Sequence, residues 1–294
     1  MKLFFFVFLF CFQSAYSQKI DHDFKYIIGV LSSDSMEGRG VHSKGLVKAQ
    51  HFLEKEFKLL KLKPFKKKIK KFSLPFYTPD STLILTNLVG WMNNKYDSTI
   101  IFMAHYDHLD TCSLLSKELF PSKRCLIHNG ADDNASGVSL ALSLIRELNK
   151  MSRKERKYNY MIVLTSGHEI GLYGSQAFYQ SGIHDYLKIK AVFNFDMVGR
   201  LDSDTKLLKI ASSNETKVDS LLAVYPKDEL VLRKNTAQLN LSDVSVFYNN
   251  GFESYSFTTG IHEDYHRATD DAALINYDGL ESILCCVLYI IQLI

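Results

Sequence analysis

Thr99-Ile100-Ile101-Phe102-Met103-Ala104-His105-Tyr106-Asp107-His108 is the stretch on which the fold turns. Six residues of strand length, apolar and rich in β-branched and aromatic side chains, run straight into a cluster of ionisable groups. Four more runs have the same strand character: Leu83 to Leu88, Tyr160 to Thr165, Ala191 to Phe195 and Tyr255 to Thr258. Between and around them lie helical patterns. Leu46, Ala49, Phe52, Leu53, Phe57 and Leu60 share one face of a helix, and Val138 to Leu148 and Tyr277 to Ile290 also read as helices. Strands alternating with helices predict an α/β sheet covered by helices on both faces.

The rest of the chain is consistent with one such domain. Of 294 residues, 46% are hydrophobic and 23% charged, enough apolar material for a sizeable core. A net charge of only +3 gives no field that would favour nucleic acid as a partner. Residues 1–17 read as a signal peptide: Lys2, an apolar Leu3 to Phe12, then Ala15-Tyr16-Ser17 before a cleavage point at Gln18. Bulky Phe10 ahead of Cys11 argues against a lipoprotein. The expectation is an exported protein, secreted or periplasmic, with residues 18–294 as a single domain. Neither apolar end is long enough for a transmembrane span. Cys285 and Cys286 are expected in the core. Cys112 and Cys125 bracket a short polar insertion and read either as a disulfide or as two free thiols. Lys61 to Lys71 contains seven lysines and reads as a solvated connector rather than an anion-binding surface. The sequons at Asn214 and Asn240 matter only in a host that glycosylates.

Potential metal ligands gather where the strands end. The first run delivers His105-Tyr106-Asp107-His108. Gly130-Ala131-Asp132-Asp133-Asn134-Ala135-Ser136-Gly137 opens the helix at Val138. Later strands end in Ser166-Gly167-His168-Glu169 and in Asn194-Phe195-Asp196, and the last leads to His262-Glu263-Asp264-Tyr265-His266. Ligand sites of α/β sheets form beyond the carboxyl ends of the strands. Any one of these residues is easily a turn or cap, and Asp132 could simply cap the helix after it. Five such coincidences are harder to dismiss. His168-Glu169 does not begin an H-E-x-x-H helix, because position 172 is Leu172.

His105-Tyr106-Asp107-His108, Gly130 to Asn134, Glu169-Ile170-Gly171-Leu172-Tyr173-Gly174-Ser175, Asn194 to Gly199 and Asp264-Tyr265-His266 resemble, in order, the motifs of the secreted di-zinc aminopeptidase family. That family also includes glutamate carboxypeptidases and glutaminyl cyclases. Leu31 to Asp34 and Glu37-Gly38-Arg39-Gly40 are similar to its N-terminal segment. The resemblance implies a mixed, largely parallel central sheet and two Zn2+, with Co2+ or Mn2+ as substitutes. It implies a bridging carboxylate at Asp132, one metal on His105 and Asp196, and the other on Glu169 and His266. Imidazole and carboxylate without thiolate suit zinc, and two dications sharing a carboxylate polarise a carbonyl and activate water. Asp107 is expected to accept the second ring N–H of His105. His108, His128 and His262 are expected at the surface or behind the ligands.

The activity this implies is exopeptidase cleavage, as an aminopeptidase acting on peptides with a free N-terminus. One departure bears on it. The family's hydrolases carry two acids before Ile-Gly-Leu, the first being the general base, and here that position is His168. Three readings follow: His168 as base, another acid such as Glu263, or a metal-binding relative that no longer hydrolyses. A glutaminyl-cyclase-like acyl transfer is a further alternative. Val244 is a second departure, since relatives often carry histidine after the Ser-Asp pair found here as Ser242-Asp243. Tyr173, Phe247 and Tyr248 read equally as core or pocket wall.

Overall fold

The computed structural model describes residues 23–65, 67–120, 125–226 and 229–294. The export segment at residues 1–17, with Cys11, and Lys66 of the lysine-rich stretch lie outside the described residues. Eight strands form one sheet: β1 (Ser73–Tyr77), β2 (Ile84–Met92), β3 (Ser98–His105), β4 (Asn159–Thr165), β5 (Lys188–Phe195), β6 (Leu207–Ser212), β7 (Val231–Lys234) and β8 (Ser254–Thr258). Their spatial order is β1-β2-β4-β3-β5-β8-β6-β7. The four central strands, β4, β3, β5 and β8, run parallel, while β2 and β6 flank them antiparallel. The sheet is thus mixed with a parallel centre, as expected.

All five expected strands form. Those without a clear sequence signal, β1, β6 and β7, lie toward the margins. β1 contains Pro75, which an edge strand tolerates because it needs hydrogen bonds on one side only.

The two faces of the centre are buried by different partners. Ile100, Phe102 and Ala104 of β3 join Ile162, Leu164, Phe193 and Phe195 in the larger core. This face is covered by α1 (Lys44–Leu59), α2 (Gly137–Lys150) and the long C-terminal helix Tyr277–Leu293. Ile101, Met103, Met161, Val163 and Val192 point the other way. They meet Phe178 of the helix Tyr173–Gln180, together with Val244 and Phe247. This strict alternation along β3 and β4 is why both strands read as continuous apolar runs.

In the C-terminal helix only Cys286 is buried, and Cys285 is exposed, which corrects the expectation of two core thiols. Consecutive helical residues point about 100° apart, and the buried stripe here takes in Ile283, Leu284, Cys286 and Val287 while Cys285 falls outside it. Cys112 and Cys125 are joined as a disulfide, deciding between the two readings. Among the described residues no helix is long and apolar enough to cross a membrane.

Candidate metal centre

Parallel neighbours end on the same edge of a sheet, so the loops after β3, β4, β5 and β8 converge. His105 is the last residue of β3, Glu169 follows β4, Asp196 follows β5, and His266 lies in the loop after β8. The turn Ala131–Ser136, which leads into α2, reaches over the same edge.

One carboxylate sits between two sets of partners. Asp133 Oδ1 faces His105 Nε2 at 3.4 Å, and its Oδ2 faces His266 Nε2 at 3.3 Å. Asp196 Oδ1 lies 3.6 Å from His105 Nε2, and Glu169 Oε2 lies 3.2 Å from His266 Nε2. His105, Asp196, Glu169 and His266 therefore come together as expected. Asp132 does not, and the shared carboxylate is Asp133. The Asp132 carboxylate is turned away, taking hydrogen bonds from the Gly199 amide at 2.6 Å and Ser136 Oγ at 2.9 Å, and facing His262 Nε2 at 3.1 Å. The turn is non-helical at Asp133 (φ −105°, ψ 89°), so adjacent side chains leave it in different directions and only one enters the cluster.

The histidines are held ready for a cation. His105 Nδ1–H donates to the Asp107 carbonyl at 3.1 Å, and His266 Nδ1–H donates to the Leu115 carbonyl at 3.1 Å. Each hydrogen bond fixes the tautomer that leaves a lone pair on Nε2. Both Nε2 atoms are buried without a hydrogen-bond partner. Asp107 thus orients His105 through its main-chain oxygen, not the carboxylate expected from sequence, whose Oδ1 is 3.9 Å from the ring. That carboxylate instead takes the amides of His168 and Glu169, fixing the loop after β4.

Three supports hold the loops in place. Arg39, fully buried, donates to the carbonyls of Tyr106, Leu31, Asn129 and Gly130, at 2.5–2.9 Å. Burial pulls its pKa down to about 10, against the attraction of nearby acids led by Asp133. Asp270 takes the amides of Asp132 and Asp133. Asn134 spans from the Phe195 carbonyl to the amides of Gly137 and Met197, pinning the turn to the end of β5.

The electrostatics call for positive charge. Burial alone would raise the pKa of Asp133, yet His108, His105 and His266 hold it well below the ordinary carboxylate range. Burial likewise opposes a charged His105, but Asp133 and Asp196 push its pKa well above the ordinary value. Three carboxylates facing imidazoles that would give up their extra proton to an incoming dication, with no thiolate, form a donor set suited to divalent zinc, cobalt or manganese.

His168 stands beside this set. Its Nδ1–H donates to Asp243 Oδ2 at 3.1 Å, and its Nε2 lies 3.9 Å from Asp196 Oδ2. The ring stacks on His105 at 3.8 Å with planes only 10° apart. His105, His168 and Asp196 are close enough to form one ligand group. The two rings are stacked and nearly parallel, so their in-plane nitrogens point side by side rather than at one another, and His168 stands beside the residues that would hold an ion. Burial and His105 pull its pKa down, but Asp243 and Asp196 outweigh them and leave it at about 9.

Asp243 carried no site signal in the sequence, whereas His108 lies behind the ligands, one of its two expected places. His108 is buried and faces Glu169 Oε1 at 3.0 Å. Asp243 is fully buried and also takes the Thr165 hydroxyl. His128 is buried on Ser116 Oγ, apart from the cluster, and Glu263 is exposed. Val244 and Phe247 belong to the core. The cluster opens into a cavity of about 350 Å³, walled by Met197, Leu241, Ile261 and Tyr265 among others. None of Tyr173, Phe247 or Tyr248 lines it.

A mixed α/β sheet with histidines and carboxylates gathered over the carboxyl ends of its parallel strands has the architecture of the metallo-exopeptidases. The profile of peptidase family M28 matches residues 87–291, and the chain belongs to that family. Leucine aminopeptidase 1 of Pyrenophora tritici-repentis is 31% identical over 117 residues, which span 39% of this chain and 28% of that protein's length. Among solved structures, glutaminyl cyclase of Porphyromonas gingivalis superposes with a TM-score of 0.72 at 15% identity, covering 92% of this chain and 96% of that one. The LapA aminopeptidase of Legionella pneumophila gives 0.68 at 18% identity, with 94% and 74% covered. A leucine aminopeptidase precursor from Bacteroides thetaiotaomicron gives 0.69 at 17%, with 92% and 96% covered. These structures share the fold.

Proposed function

We propose that the protein is a two-metal exopeptidase that removes N-terminal residues from peptides, with zinc as the metal. The observation that carries this reading is the Asp133 carboxylate, which presents one oxygen to His105 and the other to His266. His105 and Asp196 would hold one ion, Glu169 and His266 the other, and Asp133 both. Ions held there would polarise a peptide carbonyl and acidify water. The chain supplies the proton acceptor. Asp243 holds Nδ1–H, and the charge of two ions would lower the His168 pKa from the value of about 9 that Asp243 and Asp196 give it, leaving Nε2 as the free nitrogen of a ring that lines the cavity. His168 takes a proton there and returns it to the departing amine nitrogen.

The test is metal analysis of the purified protein beside a panel of peptides and amino-acid amides. About two divalent ions per chain and release of N-terminal residues are expected, and His168→Ala should lower the rate by about 10²–10⁴-fold. Bound metal with no turnover of any peptide or amide would defeat the catalytic reading and favour a metal-binding relative. Pyroglutamate formed from a Gln-initiated peptide would instead indicate cyclisation.

A further inference from the structure

The cavity beside the cluster has a second wall that the reaction itself does not require. Besides His168, Glu169, Asp133 and Asp196 it is lined by Lys209, Asn235, Gln238, Thr258 and Gly260. Lys209 is the one Lys or Arg among the lining residues. It lies on β6, paired in register with Thr258 of β8, and its flanking residues Leu208 and Ile210 turn into the core on the opposite face. The side chain is half-buried and crosses Gly260. A Cβ at Gly260 would stand 2.3 Å from Lys209 Nζ, so any other residue there would displace the ammonium. Gly260 also has φ +105°, a conformation that side chains disfavour.

Among the described residues no carboxylate pairs with Lys209. An occupant that filled the cavity would strip water from this ammonium, which is costly unless the occupant brings a counter-charge. Asn235, Gln238 and Thr258 add neutral hydrogen-bonding groups around it. A space of about 350 Å³ suits one or two amino-acid residues.

We infer that Lys209 recognises a carboxylate of the substrate, which makes this site selective for peptides that bring a carboxylate into the cavity. The inference rests on the exopeptidase reading and names the substrate class of the same site. The carboxylate is either the side chain of an N-terminal Asp or Glu, or the free C-terminus of a dipeptide.

The experiment compares kcat/KM within matched pairs on the zinc-loaded protein. Glu-Ala-amide against Gln-Ala-amide tests the side chain, and Ala-Ala against Ala-Ala-amide tests the terminus. The carboxylate member of one pair should be favoured about 10- to 100-fold, the range of a charge-assisted hydrogen bond. Lys209→Met should collapse that ratio toward one, and Lys209→Glu should invert it, each variant checked for an intact thermal transition. Should either variant misfold, Lys209→Gln is read in the same way. Ratios near one in the native protein, or a preference that survives loss of the ammonium, overturn the inference. If no peptide turns over, the exopeptidase reading has failed. Calorimetric binding of glutamate against glutamine, and of Ala-Ala against its amide, then decides the inference by the same ratios.

Discussion

Exchanging Asp133 and Asp132 for asparagine, one at a time, separates two neighbouring carboxylates that differ only in where the turn points them. Asp133 faces both His105 and His266. Asp133→Asn keeps the volume but removes the charge common to both ion positions. Loss of a residue behind a ligand costs about 10–100-fold in metal affinity, and loss of a shared ligand should exceed that. Asp132→Asn leaves the ion positions intact and weakens the contacts with Gly199, Ser136 and His262. Hydrogen bonds to a charged group contribute about 1.5–3 kcal/mol, so Tm should fall by roughly 3–10 °C with metal still bound. The assay is metal content per chain after equilibration at stepped free zinc, beside the zinc-induced rise in Tm. That rise corresponds to about 2.7 kcal/mol when zinc is a hundredfold above its dissociation constant. Asp133→Asn should abolish it and Asp132→Asn should retain it. Metal lost from Asp132→Asn but kept by Asp133→Asn would refute the assignment.

Two further outcomes concern the scaffold. Arg39→Met leaves buried carbonyls of Leu31, Tyr106, Asn129 and Gly130 without their donor. At about 1–3 kcal/mol for each unsatisfied group, at least 4 kcal/mol should be lost, seen as a collapsed Tm or insoluble protein; a change below 1 kcal/mol would mean that water replaces the guanidinium. Glu56 is buried, and burial raises its pKa more than Arg146 lowers it. A raised folded pKa means that stability is fully present below the ordinary carboxylate pKa and lost as pH rises through the folded value. Glu56→Gln should therefore raise Tm at pH 7–8, by on the order of 2 °C, with the gain vanishing below pH 4. A variant less stable than native at neutral pH would show that the Arg146 pair dominates.

The fold was legible because its centre is buried on both faces, so β3 and β4 carry no polar interruption. The margins were not: β1 and β7 are short and have no buried residue, and β6, though largely buried, has Lys209 in the middle of its apolar run. Ligand types were legible from strand ends, but the choice between Asp132 and Asp133 depends on backbone angles within a turn, which no spacing reveals. Asp243 was hidden for a different reason. Its role depends on contact with a residue 75 positions away, and alone it reads as an ordinary loop acid.

That contact changes what the departure at His168 means. Asp243 is fully buried, and its Oδ2 takes both the Thr165 hydroxyl and His168 Nδ1–H. A glutamate at 168 would bring a second carboxylate toward the first, and two buried carboxylates that close cannot both ionise. Restoring the acid alone, in His168→Glu, should therefore not recover activity, because the new carboxylate holds a proton instead of accepting one. Adding Asp243→Asn removes the repulsion, so the double variant should exceed His168→Glu by at least tenfold, while Asp243→Asn alone should lower the native rate by releasing the imidazole. The kinetic coupling between the two positions is the quantity to measure. Additive effects, or a gain of activity in His168→Glu alone, would mean that His168 and Asp243 do not act as one unit and that the native site has lost its base.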